Sequence, residues 1–178
     1  MDQKTEAFQA RTDAKLRYAR VHLDELTALT AHSGDDFDRA HQESFLFHLY
    51  GTRDAFLIEL NHYYSLELSI ECITQGKLRE ALRLKGIQSP ELSELFALEQ
   101  DDASWYRQTK DMRDYSIHSQ GVARSYFMGG DDDGKVKLKN PRTGVLTDGH
   151  FIDVFQEWIE KMRVLIDKLR ASANAFMG

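Results

Sequence analysis

At 178 residues the chain is long enough for one domain with a sizeable core, and 42% hydrophobic with 29% charged residues is the balance of a folded protein. A formal net charge of −6 argues against a dedicated duplex-DNA binder, which is usually basic. The N-terminus MDQKTEAFQA lacks the apolar core of a signal peptide, no run approaches the ~18 apolar residues of a membrane span, and the single cysteine, Cys72, allows no internal disulfide; the expected setting is the cytoplasm, with no membrane partner.

With only Pro90 and Pro141 to interrupt it, the chain has room for long helices. Residues from about 4 to 31 read as the first. Phe8, Thr12, Leu16, Ala19, Leu23, Leu26 and Thr30 form one stripe in steps of three and four, with Asp13, Arg17, Arg20 and Asp24 expected outside. After the polar break His32–Asp36, a second helix is expected over about 37–64. Phe45, Leu46, Leu49, Phe56, Leu57, Leu60, Tyr63 and Tyr64 share its broad apolar face. Arg53 falls inside that face, where a charge must be paired or must snorkel, and the expected partner is a carboxylate inside the bundle. Phe47 and Ile58 lie on the opposite side, and a helix apolar on two sides is central or at an interface, which points to a homodimer.

Residues 66–85 read as a third helix, broken near Gln75–Gly76, with Gly86 as its cap and Cys72 on an apolar face. Ser89-Pro90-Glu91 is a helix start, with Ser as cap, Pro at the first position and an acid in the first turn. A short helix to about Glu99 follows. Asp101 to Ser104 then open another helix that runs to His118, stopped by Gly121.

From Gly121 the pattern changes. Val122–Met128 reads as a strand, Gly129–Gly134 as a turn, and Lys135-Val136-Lys137-Leu138-Lys139 alternates as a half-buried strand does. Asn140–Gly144 turns again into a short return strand at Val145–Thr147. The last helix, from near Asp148 to about Asn174, carries the stripe Phe151, Phe155, Trp158, Met162, Leu165, Ile166 and Leu169. The expected fold is therefore all-α: a single domain over 1–178, a bundle of five or six helices with a small β-hairpin inserted at about 122–147, before the last helix.

Arg113-Asp114-Tyr115-Ser116-Ile117-His118 has the form Arg-x4-His. In this hexapeptide and in its helix order the chain resembles the HEPN superfamily, helical bundles many of which are metal-independent endoribonucleases. The resemblance implies His118 as general acid or base and Arg113 as the group that holds the scissile phosphate of an RNA. It places Asp114 at the polar position after the arginine, where Asn is commoner. Five residues turn a helix by about 500°, which leaves the two side chains about 140° apart. They converge only where the helix ends between them or where two subunits build one site. Arg17 and His22 repeat the same spacing.

His41, His48 and Glu59 share another face of the second helix, and Glu59-Leu60-Asn61-His62 gives one Glu-x-x-His where a di-metal bundle needs two; that face reads as solvated, with no metal or cofactor expected. Asp131-Asp132-Asp133-Gly134 has the wrong spacing for a calcium loop and reads as a solvated turn. Lys135, Lys137, Lys139 and Arg142 form a basic edge. It suits contact with nucleic-acid phosphates, and it equally suits a strand edge protected from pairing by lysines. The two functional readings are a homodimeric binding module and a HEPN-like ribonuclease using Arg113, His118 and Asp114.

Overall fold

The computed structural model describes residues 3–28, 35–118 and 121–177. The expected end of the first helix at 31, with Thr30, lies outside them. The second helix, α2 (Asp35–Tyr63), is the element against which the others pack: α1 (Gln3–Ala28), α3 (Gln75–Leu84), α5 (Trp105–His118) and α6 (Phe151–Met177) all contact it. A fourth, α4 (Pro90–Gln100), joins α5 to α6. The strands β1 (Arg124–Tyr126) and β2 (Val136–Leu138) pair antiparallel between α5 and α6, with Arg124 opposite Leu138 and Tyr126 opposite Val136. The all-α bundle with a hairpin before its last helix is thus the observed architecture.

The apolar stripes explain this packing. Phe45, Leu46, Leu49, Phe56, Leu57 and Leu60 of α2 are fully buried against Phe155, Trp158, Met162, Ile166 and Leu169 of α6 and against Ala19, Leu23 and Leu26 of α1. The Phe45 and Phe155 rings stack at 4.2 Å. Each large apolar side chain among them contributes about 1.5–3 kcal/mol relative to exposure. Thr12, Thr52 and Thr109 sit fully buried in the seams because each hydroxyl donates to the carbonyl four residues back.

Four sequence expectations need correction. The third helix does not begin at 66. Ser65 (φ 47°) and Glu67 (φ 57°) take left-handed backbone, which stops α2, and the Asn61 side chain brackets both backbone groups of Leu68 at 3.1 Å. After a single 3-10 turn at Ile70–Cys72, α3 starts at Gln75 with Thr74 as cap, so the expected break is the true beginning. Cys72, expected in the core, is exposed. Glu59, read as solvated, is 1% exposed: the Arg170 guanidinium spans both its oxygens, at 2.9 and 2.8 Å. Asp13 and Arg20, expected on the outer face of α1, are turned to α6, where they meet Arg170 and Glu160 at 2.8 and 2.7 Å.

Gly86 (φ 68°) ends α3 as expected; its N–H donates to Arg83 and that of Ile87 to Leu82. Ser89 caps α4, and Glu91 behind it accepts from Ser89 and from the Tyr64 hydroxyl at 2.7 and 2.6 Å. The hairpin is fastened to the bundle at three points. Leu138 is fully buried, Arg124 reaches Asp38 of α2, and the buried Asp111 of α5 accepts from Asn140 and Arg142 at 3.2 and 3.1 Å. The return strand is reduced to one bridge, Lys139 with Leu146.

Candidate functional site

Among the described residues, two hollows on the surface stand out. The larger, about 670 Å³, is a groove between α3 and α4. Both of its arginines are engaged: Arg83 with Glu80 at 2.8 Å, and Arg79 over the Phe96 ring at 4.5 Å. The smaller, about 230 Å³, gathers charge. Arg11 and Lys15 enter it from α1, Tyr50, Gly51, Asp54 and Ile58 from α2, Ile70 and Ile73 from the connection after α2, and Arg113 from α5. We take this second cavity as the candidate site, because chemistry concentrates there and not in the larger groove.

Its construction follows from local sequence. Arg11 and Lys15 are four apart and so share a face of α1. Gly51 stands within α2, where glycine costs about 1 kcal/mol relative to alanine; the place its Cβ would occupy lies 3.7–3.8 Å from the end of the Lys15 side chain. The Lys15 ammonium lies 5.0 Å from the centre of the Phe47 ring. Arg113 sits over Tyr50, its guanidinium carbon 4.4 Å from the ring centre. The left-handed residues Ser65 and Glu67 direct the chain so that Ile70 and Ile73 wall the far side.

The electrostatics favour an anion. The lining holds three cations and one carboxylate, Asp54, which Arg53 already engages at 2.7 Å. Among the described residues neither Arg11 nor Lys15 forms an ion pair. Burial lowers the pKa of Lys15 and the Arg11 charge lowers it further, against the opposing pull of Asp54. Arg113 Nε lies 3.1 Å from Asp114 Oδ1 but out of line for a hydrogen bond. Burial pushes the Tyr50 hydroxyl up to about 12, which keeps it neutral. Arg53 is held by Asp54, by Gln75 at 2.7 Å and by Glu99 at 3.9 Å, the carboxylate pairing expected of it.

The residues of the Arg-x4-His hexapeptide divide. Arg113 lines the cavity. Asp114 is bound to Lys110 at 2.8 Å, and His118 is exposed on the last turn of α5, outside the cavity lining. Of the basic edge, Lys135 and Lys137 both reach Asp132, at 2.9 and 2.6 Å, and Arg142 is taken up by Asp102 and Asp111. Lys139 is exposed.

A second feature was hidden in the sequence. Where α1 crosses α2, six rings run on without a gap. Phe37 meets His41 at 4.3 Å, His41 meets His22 at 5.1 Å, His22 stacks on His48 at 5.5 Å, and His48 touches Tyr18 and Phe47 at 5.3 Å each. His22 and His41 approach through their Nδ1 atoms at 3.1 Å, a contact that needs one nitrogen protonated and the other bare. Tyr18, Phe37 and Phe47 are about half exposed. The seven-residue step from His41 to His48 and the four-residue step from Tyr18 to His22 were the signals available for this strip.

Among the described residues no three His, Cys, Asp or Glu side chains are arranged to hold a metal ion, and no helix is long and apolar enough to cross a membrane. No curated protein and no solved structure matches the chain. Residues 7–175, nearly its whole length, match the model of a family of unknown function, DUF6586, and the chain belongs to that family.

Proposed function

We propose that this protein is a cytoplasmic binding module that works as a homodimer. The observation that carries this reading is the exposed ring strip of α1 and α2. Aromatic residues left half in water, contiguous and set around a helix crossing, are what a protein interface buries at its centre. Val21, also about half exposed, adds apolar surface on α1. A two-fold contact through this strip would lay each copy's rings against the other's. Sedimentation equilibrium at micromolar concentration should give twice the 20.6 kDa chain mass, and Phe47→Glu should return the chain mass. A single 20.6 kDa species for the unmodified protein sinks the reading.

A second reading is a HEPN-like, metal-independent endoribonuclease. Arg113 in a cation-lined cavity supports it, with Asp114 beside it and His118 at the end of the same helix. Cleavage of single-stranded RNA in EDTA should then be lost in His118→Ala. It should also be lost in Arg113→Lys, since an ammonium does not replace the planar fork. Equal cleavage by wild type and His118→Ala ends this reading.

A further inference from the structure

We infer that the cavity between α1, α2 and α5 is a binding site for a small phosphate monoester, with Arg11, Lys15 and Arg113 on the phosphoryl group and the apolar walls on a compact ring or hydrocarbon body. This inference does not rest on RNA cleavage, and the cavity shares Phe47 with the proposed dimer strip.

The charge comes first. Three cations face one hollow in a protein whose net charge is −6, and the one carboxylate of the lining is occupied by Arg53. Arg113 has the Asp114 carboxylate at 3.1 Å, but among the described residues Arg11 and Lys15 have none; their like charges raise the free energy of the empty site, and a dianion removes that cost. Arg113 lines the cavity with its guanidinium carbon 4.4 Å from the centre of the Tyr50 ring and its Nε without a hydrogen-bond partner, and a guanidinium suits bidentate contact with phosphoryl oxygens. Lys15 supplies a mobile point charge beside it.

The walls then select the body of the ligand. Ile58, Ile70 and Ile73 present hydrocarbon, and Gly51 leaves the α2 surface open beneath Lys15. At about 230 Å³ the cavity is smaller than the roughly 300–1,000 Å³ of sites for drug-sized ligands, so it suits one phosphoryl group with one small body. Glu67 and Ser65 hold left-handed backbone in the connection that brings Ile70 and Ile73 to this wall, and such conformations concentrate at ligand sites.

The test is calorimetric titration of the full chain with phenyl phosphate, inorganic phosphate, benzyl alcohol and a single-stranded RNA oligonucleotide. Phenyl phosphate should bind at least about tenfold more tightly than either inorganic phosphate or benzyl alcohol. Arg11→Gln and Lys15→Gln should each weaken it by about tenfold or more, the loss of one charge-assisted contact, with the melting temperature of the free protein equal to that of the wild type or higher. Absence of phenyl phosphate binding, or equal affinity in the double variant, overturns the assignment. Equal binding of inorganic phosphate overturns the apolar part of it. RNA binding lost in the variants, with none of phenyl phosphate, overturns it in favour of a polymer site.

Discussion

The guanidinium carbon of Arg113 stands 4.4 Å from the centre of the Tyr50 ring, which ties α5 to α2 at the mouth of the cation-lined cavity. The contact is a cation–π pair between a partly exposed guanidinium and a buried ring. Arg113→Met keeps the hydrocarbon stem over the ring and removes the charge. Urea denaturation should show a loss of about 0.5–2 kcal/mol. A loss above about 3 kcal/mol would make Arg113 a structural support with no freedom to meet a ligand.

Gly51→Ala should stabilise the protein by about 0.5–1 kcal/mol, because a helix-interior glycine gives way to the best helix former. The new Cβ meets the Lys15 side chain at ordinary van der Waals distance, 3.7 Å or more. A lower melting temperature in the variant would show that the Lys15 chain needs that lane empty.

Acid should weaken the fold through two histidines of the ring strip. Burial, with the neighbouring His41, holds His22 below its ordinary value of 6.5; burial, Lys15 and His22 do the same to His48. Glu25 opposes the shift at His22. A lowered histidine pKa means that the unfolded chain binds more protons, so this stability is complete above 6.5 and is lost as pH falls through that value toward the folded pKa. Melting temperatures should fall between pH 7 and pH 5, and His48→Gln should flatten that slope. An unchanged slope in the variant would remove His48 from the effect.

Removal of Arg170 should be among the costliest substitutions in the chain. Arg170→Met leaves Glu59, 1% exposed, with no partner for either oxygen, and a buried pair broken on one side costs about 3–5 kcal/mol. Asp13 and the Gln9 carbonyl lose their donor as well. The double variant Glu59→Leu/Arg170→Met should recover most of the loss in urea denaturation. Additive losses would show that the two side chains act separately.

Periodicity carried the fold because the stripes of α1, α2 and α6 are long and nearly unbroken; each was legible from its own residues. The third helix starts later than its apolar pattern suggests because Leu66, Leu68, Ile70 and Ile73 are apolar for a different reason: they coat a connection that Ser65 and Glu67 turn out of the helix. Left-handed backbone at serine and glutamate leaves no compositional mark. The candidate cavity was legible only in pieces. Arg113 stood in a recognisable hexapeptide, and Arg11 and Lys15 are a common four-residue pair; only the packing of α1, α2 and α5 brings the three to one hollow. Glu59 looks solvated in its local sequence because its partner, Arg170, is 111 residues away.

The pairing of Glu59 with Arg170 also fixes where α6 stops along its own axis. Apolar stripes are tolerant of translation, since leucine meets isoleucine nearly as well one turn later. A slide of α6 by one turn, about 5.4 Å, would bring Ile166 or Asn174 opposite the buried carboxylate in place of the guanidinium. Neither can neutralise it. The ion pair therefore works as a stop against slippage, and the sequence spends a buried charge to make one alignment of the bundle the only comfortable one.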